Sequence, residues 1–388
     1  MEIMFFITTA LFFSIMLVLF LWTGISFLFL IKSRNPEKHS KRTPPVSVII
    51  PAYNEESNIK KCIQSVKNSE YPNDIEIIVI DDGSTDKTPH IAKTLGARVI
   101  TQNHLGKVEA LNNGLRNASH DYVIILDADM FIERNSIYEL MKGFYDPRIA
   151  AVSGVAKVFN RNTLIGIFQN VEYIYLYFIR EAFSFLSRAS PGICGPFTCF
   201  RKKDLLAIKG FSKRTSAEDF DVSLHLFKAG LHTVLAPKAI GYTVVPNTLK
   251  SLFMQRIRWF KGIIQSVVIH RNLIGKSLPA SYILLTHLFW FSVAILSIPI
   301  ITYNFLYWLP YNSSTLIDAI LYIFYWFSFA GIIRMIYMIP VWGINIVYFF
   351  GIISGILTSL LILVSMKRYG DMRPENLIAI FFYFPYTI

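Results

Sequence analysis

Apolar blocks of two lengths alternate with polar segments along this chain. Residues 4–31 contain no charged side chain, and they exceed the roughly 20 residues that an α-helix needs to cross a bilayer. Residues 46–51, 75–80 and 122–126 are short apolar runs rich in β-branched side chains, which is typical of strands buried on both faces of a parallel sheet. The pattern predicts an α/β domain that follows a membrane helix.

Polar segments with helical character separate the predicted strands. Helices are expected over residues 56–68 and from an N-cap at Ser84 or Thr85 to residue 95, and a further strand over residues 97–101. This alternation is that of a doubly wound, mostly parallel sheet. Because neighbouring parallel strands end at one edge of such a sheet, the polar, acidic loops that follow three of the strands are expected to form a site.

The second half of the chain carries further apolar stretches. They predict three transmembrane helices near residues 280–303, 316–338 and 343–365. Basic residues between 32 and 42 follow the first span, and the positive-inside rule then predicts a cytoplasmic location for residues 46–275. The basic start of residues 367–388 conflicts with this topology, so an interfacial segment, a re-entrant segment and a helix cut short stay open.

Composition changes this picture little. Hydrophobic residues make up 53% of the chain and charged residues 16%, which suits a soluble domain carried on membrane helices. The formal net charge is +12, but the basic residues form neither a recognition helix nor a long tract, so nucleic acid is not an expected partner. Cys62, Cys194 and Cys199 lack metal-ligand spacing and predict neither a disulfide framework nor a zinc site, which fits a reducing compartment.

Two carboxylates stand at the carboxyl end of the strand predicted over residues 122–126. Asp127 and Asp129 are separated by one residue, and carboxylates so placed can share a divalent cation through hard oxygen ligands. Mg²⁺ and Mn²⁺ bind in this way while phosphate oxygens complete their coordination. The pair therefore predicts a metal site for a nucleotide diphosphate.

The other loops at this edge offer groups for the rest of a nucleotide. Asp81 or Asp82 can accept the imide N–H of a uracil ring, and Tyr53 can cover the face of that ring. Lys107 precedes a predicted helix, where its ammonium can neutralise a phosphate as a point charge. Together with the carboxylate pair, these residues predict a UDP-binding site.

The motifs resemble those of inverting family 2 glycosyltransferases. They are residues 46–55, Asp81-Asp82-Gly83-Ser84, Gly106-Lys107, Asp127-Ala128-Asp129, Ala217-Glu218-Asp219 and Gln255-Arg256-Ile257-Arg258-Trp259. The last motif resembles the Gln-x-x-Arg-Trp of the processive, membrane-integrated branch, which includes cellulose, chitin, hyaluronan and poly-N-acetylglucosamine synthases. Ala217 departs from the family's threonine, which removes a hydroxyl but neither acid.

The resemblance implies a nucleotide-binding domain of the GT-A type and a role for each matching residue. Asp219 would be the base that takes the acceptor proton, with Glu218 beside it, whereas Asp221 is expected to be a solvated or capping acid. Donor binding would fall to Ala52, Tyr53, Glu55, Asp81, Asp82, Lys107, Asp127, Gln255 and Arg258. Acceptor binding would fall to Trp259, Gly195, Pro196 and Phe197, and the metal, Mg²⁺ or Mn²⁺, to Asp127 and Asp129.

Pattern and resemblance together divide the chain into six parts. We expect a transmembrane helix (1–31), a basic linker (32–45), a cytoplasmic GT-A domain (46–245), interfacial helices (246–276), three transmembrane helices (277–366) and a C-terminal segment (367–388). Residues 162–187 predict a further amphipathic helix, either at the membrane surface or acceptor channel or in an ordinary core.

The predicted function is transfer of a sugar from a UDP-sugar to a growing β-linked polysaccharide, coupled to export across the plasma membrane in which the chain is a multi-pass protein. The same residues would also serve a single transfer to a lipid acceptor, such as a polyprenyl phosphate or diacylglycerol. The third hypothesis is a non-catalytic transporter or scaffold, but the intact acidic motifs argue against it. The sequence identifies neither the sugar nor the linkage, because both depend on pocket shape.

Overall fold

The structure is a computed structural model that describes residues 40–187, 189–193, 195–307, 346–377 and 379–380, together with scattered positions before residue 30 and between 333 and 340. Its strands are β1 (Val46–Ala52), β2 (Ile75–Asp81), β3 (Arg98–Thr101), β4 (Tyr122–Leu126), β5 (Met130–Ile132), β6 (Ile149–Val158), β7 (Phe197–Arg201) and β8 (His232–Thr243). Its helices are α1 (Ile59–Lys67), α2 (Thr88–Thr94), α3 (Lys107–Asn117), α4 (Ser136–Lys142), α5 (Leu164–Ser187), α6 (Lys202–Ala207), α7 (Glu218–Lys228), α8 (Leu249–His270), α9 (Leu278–Tyr307) and α10 (Ile346–Arg368), with a 3₁₀ turn at Arg271–Leu273.

The strands form one mixed sheet in the order β3-β2-β1-β4-β7-β6-β8-β5. Strands β3, β2, β1 and β4 are parallel neighbours, as the sequence predicts. Strand β7 runs antiparallel between β4 and β6, β6 pairs parallel with β8, and β5 pairs antiparallel with β8. Four of the seven pairings are parallel, so the sheet is mixed, and the expectation of a mostly parallel sheet is fully correct only for β3, β2, β1 and β4.

Burial explains the parallel half. Central strand β1 has six fully buried positions among its seven, and β4 is buried at every position after Tyr122. Helix α3 packs directly on β1, because Gly114 leaves room for Ile49, whose Cγ2 lies 2.3 Å from where a Cβ would stand. Since β2, β1 and β4 are adjacent and parallel, their carboxyl ends lie at one edge, which confirms the predicted convergence of the acidic loops.

One local prediction is wrong. Neither Ser84 nor Thr85 caps helix α2, which begins at Thr88 after Lys87. Their backbone N–H groups donate instead to the side chains of Asp81 and Asn54, at 3.1 and 2.8 Å. This segment is an ordered turn at the carboxyl end of β2, and not the start of the helix.

The chain divides into two compact units, of which Asn35–Gly166 with Arg180–Leu285 is the one that holds the sheet. The other comprises Met1–Arg34, Ile167–Ile179 and Thr286–Ile388. Within it, Val171 on α5 packs with Ile362 and Met366 of α10. Buried Asn170 donates to Asp371 Oδ2 at 2.7 Å, which ties the same stretch of α5 to the residues after α10.

Among the described residues, one stretch, Leu278–Leu296, is long and apolar enough to cross a membrane. It overlaps most of the predicted span at 280–303 and begins two residues before it. Helix α10 occupies most of the predicted span at 343–365, and the described positions before residue 30 are helical. The predicted span at 316–338 lies outside the described residues apart from three positions.

Candidate active site

Lys107 is the first residue of α3, and its ammonium lies between two acidic motifs. Its Nζ is 2.8 Å from Asp127 Oδ1 and 3.0 Å from Glu218 Oε1. Gly106, at a φ of 91° that favours glycine, turns the chain into the helix. Burial alone would lower the pKa of Lys107, but the two carboxylates raise it well above its ordinary value. Lys107 therefore stays charged, and it joins the acid that follows β4 to the acid that begins α7.

The carboxylate pair after β4 fits a divalent metal ion. Asp127 Oδ1 is buried and accepts no hydrogen bond, although it faces the Lys107 ammonium. Burial, followed by the negative charges of Asp127 and Glu55, raises the pKa of Asp129 to about 7. Three acids and one lysine leave this edge short of positive charge. Oxygen ligands of this kind are those that Mg²⁺ and Mn²⁺ take.

The backbone holds Asp127 in place. Its N–H donates to the carbonyl of Pro196 at 3.1 Å, and the Cys62 thiol lies under its carbonyl, with Sγ 3.7 Å from the oxygen. Burial raises the pKa of Cys62 well above its ordinary value, and the charge of Asp129 raises it further. Cys62 is thus a neutral packing residue that contacts the backbone of the Asp127–Asp129 loop.

Helix α7 begins with the two acids predicted to act in the transfer. Burial, then the charge of Glu218, raises the pKa of Asp219, which makes it a stronger base than an exposed aspartate. Burial alone would raise the pKa of Glu218, but the charge of Lys107, the hydrogen bonds to the carboxylate and the charge of Arg258 together lower it. Glu218 is thereby kept ionised, while its neighbour Asp219 binds a proton more readily. Acid–base sites use such a division of roles between two carboxyl groups.

The segment predicted to contact the acceptor reaches Asp219 through its backbone. A Cβ on Gly195 would stand 2.4 Å from Asp219 Oδ2, so only glycine permits this approach. Phe197, in contrast, is fully buried, and its ring lies against Gly154 and Gly241 in the sheet. The Phe197 side chain is therefore a core element and does not reach an acceptor site, which corrects the role expected for it.

Helix α8 carries the Gln-x-x-Arg-Trp motif and is docked on the loop before α7. Gly262 makes this possible, because its Cβ would lie 2.5 Å from the Ala217 backbone nitrogen. Gln265 accepts a hydrogen bond from the Ser216 N–H at 2.9 Å. Ala217, which departs from the family's threonine, is the N-cap of α7 and contributes no side-chain cap.

Docking brings the motif's polar side chains to the acids. The charge of Arg258 is one of those that lower the pKa of Glu218, so the arginine lies near this acid. Gln255 Oε1 is buried without a hydrogen-bond partner, which leaves an acceptor for a ligand. Trp259 is half-buried, and the guanidinium of Arg256 lies 4.6 Å from the centre of its ring.

At the nucleobase end, Asp82 organises its own loop. Its carboxylate accepts hydrogen bonds from Gln102 Nε2, the Leu105 N–H and the Gly106 N–H at 2.8–2.9 Å. No motif in the sequence pointed to His104, whose ring lies 4.1 Å from that of Tyr53 and whose Nδ1 is 3.1 Å from Asp82 Oδ2. The aromatic surface at this edge is thus a Tyr53–His104 pair, and Asp82 is the residue that positions it.

The other residues predicted to bind the sugar donor, Ala52, Glu55 and Asp81, lie at the same edge of the sheet. Ala52 is buried and its carbonyl accepts from the Asp82 N–H at 2.9 Å. The Glu55 N–H donates to Thr88 Oγ1 at 2.8 Å, and its carboxylate accepts from Asn58. Asp81 is 2% exposed and accepts from the Ser84 N–H.

Asp221 is buried, so the expectation of a solvated or capping acid is wrong. Its Oδ1 lies 2.7 Å from His270 Nε2 at the end of α8, and its Oδ2 lies 3.7 Å from Arg214. Arg214 also donates to His225, whose ring nitrogen lies 3.9 Å from Asp221 Oδ2. The three potential ligand atoms of Asp221, His225 and His270 are close enough for a metal ion, but a guanidinium already supplies the positive charge. This cluster is a charge network that pins α8 to α7.

Comparison with known proteins is consistent with this geometry. Residues 47–208 match the family model for glycosyl transferase family 2. Poly-beta-1,6-N-acetyl-D-glucosamine synthase of Staphylococcus aureus is 30% identical over 236 residues, covering 59% of this chain and 57% of the relative. The synthase of the same name from Staphylococcus epidermidis is 32% identical over 225 residues, covering 56% of this chain and 54% of the relative. The matched region thus spans little more than half the length of these relatives.

The fold also has a counterpart among solved structures. A mannosyltransferase from Pyrobaculum calidifontis, solved in complex with GDP-Man and Mn²⁺, superposes with a TM-score of 0.59 over 94% of this chain and all of the other, at 21% identity. At this identity the likeness concerns the fold alone, and it supports the GT-A-like α/β architecture.

Proposed function

Because residues 47–208 match the family model for glycosyl transferase family 2, we propose that the chain is a membrane-embedded, inverting enzyme of this family that extends a β-linked glycan from a UDP-sugar. The relatives named above make poly-β-1,6-N-acetyl-D-glucosamine, so UDP-N-acetylglucosamine is the proposed donor. The long apolar helix and the basic linker support a membrane location with a cytoplasmic catalytic domain.

The observation that carries the proposal is the Lys107 bridge. It brings Asp127, the acid of the donor side, and Glu218, the neighbour of the base, onto one ammonium. Donor and acceptor motifs therefore share one centre of charge. A scaffold that no longer binds a nucleotide would have no need of this arrangement.

The chemistry assigned to the centre is a single displacement. The acceptor hydroxyl oxygen attacks the anomeric carbon of the donor, and the bond from that carbon to the diphosphate oxygen breaks as the new bond forms. Asp219 takes the hydroxyl proton, and the UDP anion leaves on the opposite face, so the configuration inverts. Lys107 and Arg258 offset the negative charge that develops on the leaving diphosphate.

Asp127 and Asp129 would hold a Mg²⁺ or Mn²⁺ ion in this site. When bound, such an ion neutralises diphosphate charge. Gln255 would accept a hydrogen bond from the donor through its unpartnered Oε1, while Tyr53 and His104 would cover the base. Trp259 offers an aromatic face to the terminal sugar of the acceptor.

The test is a donor panel. Purified protein in detergent or nanodiscs is offered UDP-N-acetylglucosamine, UDP-glucose, UDP-glucuronate and GDP-mannose with Mg²⁺ or Mn²⁺, and nucleotide release and sugar incorporation are measured. The proposal expects UDP-N-acetylglucosamine to be used fastest, with activity lost in excess chelator and in Asp219→Asn. Preference for GDP-mannose, or full activity in chelator, would contradict it.

A further inference from the structure

Arg180, near the carboxyl end of α5, begins a chain of hydrogen bonds that ends at the proposed base. Its Nη1 donates to the carbonyl of Ile193 at 3.2 Å. The Ile193 N–H donates to Ser223 Oγ at 3.3 Å, and the Ser223 hydroxyl donates to the carbonyl of Asp219 at 2.8 Å. Gly195, two positions further along the sequence, has its backbone against the Asp219 carboxylate.

Arg180 also acts on Asp219 through its charge. The groups that act on this carboxylate are Glu218, Lys107 and Arg180, together with the Phe220 N–H that donates to Asp219 Oδ1 at 2.8 Å. Burial and Glu218 raise the pKa of Asp219, while Lys107 and Arg180 lower it. Lys107 is shared by two other acids, and Arg180 adds a second positive charge at Asp219 from α5.

We propose that Arg180 is a positioning residue for the base Asp219: it holds Ile193, and with it the hydrogen bonds that reach Asp219 through Ser223, and its positive charge favours the ionised form of the Asp219 carboxylate. The proposal rests on the proposed function in naming Asp219 the base. It adds a residue outside the motifs that define the site, on a helix that the sequence assigned only to a membrane surface, an acceptor channel or a core.

The first test is the pH dependence of the transfer rate. Removing the guanidinium in Arg180→Gln raises the pKa of Asp219. The acidic limb of the pH–rate profile, where activity falls as Asp219 is protonated, should therefore move to higher pH by about one unit. Activity should then be about tenfold lower below the limb and approach the parent value above it. Arg180→Lys retains the charge and should keep the limb of the parent.

Two variants separate charge from geometry. Ser223→Ala breaks the hydrogen-bond chain and leaves the charges unchanged, so it should lower the rate at every pH without moving the limb. Arg148→Gln removes an exposed arginine that pairs with Asp146 alone among the described contacts, and it should behave as the parent. A limb in Arg180→Gln that coincides with that of the parent would overturn the electrostatic role.

The second test needs no activity. Thermal unfolding in detergent at pH 8 is compared for the parent, Arg180→Gln, Asp219→Asn and the double variant, each with and without UDP to confirm a folded nucleotide site. Arg180→Gln should lower the Tm more in the parent than in the Asp219→Asn background, because only the ionised partner is stabilised by the arginine. Equal shifts in the two backgrounds would overturn the inference. A parent that transfers no sugar would instead contradict the proposed function, and the unfolding comparison would still decide the Arg180–Asp219 coupling.

Discussion

Lys107 and Glu218, each the first residue of its helix, meet at 3.0 Å from Nζ to Oε1. The amino ends of α3 and α7 therefore face each other across the site. Helix amino ends carry partial positive charge, which favours Glu218 in its ionised form and adds to the effect of the lysine. Lys107 and the two helix amino ends thus lie among four acids, which are Asp127, Asp129, Glu218 and Asp219.

Lys107→Met should impair donor binding and catalysis together. The variant leaves Asp127 and Glu218 without their shared cation and removes positive charge from the diphosphate site, so transfer should fall by about 10²-fold or more. UDP affinity and rate are measured in parallel. Lys142→Met is the control, because Lys142 pairs with Glu139 on α4. Donor affinity and rate that both match the parent would contradict the role of Lys107.

Asp129 should make the metal-free protein less stable as the pH rises. Its pKa is about 7 when folded, against an ordinary value of 3.8, so the folded state holds this proton more tightly than the unfolded state. The resulting penalty is absent below about pH 4, grows between about pH 4 and pH 7, and is complete above pH 7. Asp129→Asn should therefore raise the Tm of the metal-free protein at pH 8, by an amount that shrinks as the pH falls.

Added Mn²⁺ provides the complementary measurement for the same variant. It should raise the Tm of the parent at pH 8 and leave Asp129→Asn unchanged, while the variant loses transfer by orders of magnitude. Equal stabilisation of both proteins by Mn²⁺ would place the metal elsewhere.

Gly195→Ala should displace the base. The new Cβ would stand 2.4 Å from Asp219 Oδ2, and misplacement of a reacting group by about 1 Å can cost about 10²-fold in rate. UDP binding should persist, because Gly195 touches the base and not the donor loops. Gly192→Ala is a matched control, since its Cβ would meet the end of the Ile283 side chain at 3.2 Å and Ser223 Oγ at an ordinary contact distance of 4.0 Å. Comparable rates for the two variants would be inconsistent with this account.

Asp221→Ala should destabilise the catalytic unit. It leaves the buried His270 ring nitrogen without its partner, and such a loss costs about 1–3 kcal/mol in the free energy of unfolding. Asp221→Asn keeps an oxygen at the same place and should cost less. Denaturant unfolding followed by fluorescence distinguishes them. An Asp221→Ala protein as stable as the parent would mean that this network does not hold α8 on α7.

Arg258 and Trp259 should separate in their effects. Arg258→Ala removes charge near Glu218 and the leaving diphosphate, so it should slow every transfer. Trp259→Ala removes an aromatic face for the acceptor, so it should shorten the products more than it weakens UDP binding. Gel analysis of radiolabelled products gives both quantities. Identical product lengths in the parent and Trp259→Ala would remove the tryptophan from the acceptor site.

The nucleotide-binding half of the fold could be predicted because its signals are local. Strand β4 begins and ends where the apolar run does, and the acids after β1, β2 and β4 follow from the rule that parallel strands end at one edge. The rest of the sheet could not, since β6 and β8 pair in parallel across a long stretch of chain, and an apolar run of that kind is not distinguished from a helix by its periodicity alone.

The site, too, could be predicted only in part. The chemistry of the motif residues follows from their types, but the contacts of His104, Asp221 and Gly262 depend on how the helices dock. Asp82 illustrates the limit, because its sequence position suggested a ligand for the base, whereas its carboxylate is engaged by three donors of its own loop. Buried polar groups find partners, and sequence position does not reveal which ones.

The measurement that tests the central claim most directly is the structure of the product made from UDP-N-acetylglucosamine by the purified full chain. Mass spectrometry gives its length, NMR gives the configuration at the new anomeric carbon, and Asp219→Asn serves as the inactive reference. The account predicts a ladder of N-acetylglucosamine oligomers with β-configured linkages in the parent and none in the variant. A single sugar on a lipid, or an α-configured linkage, would contradict it.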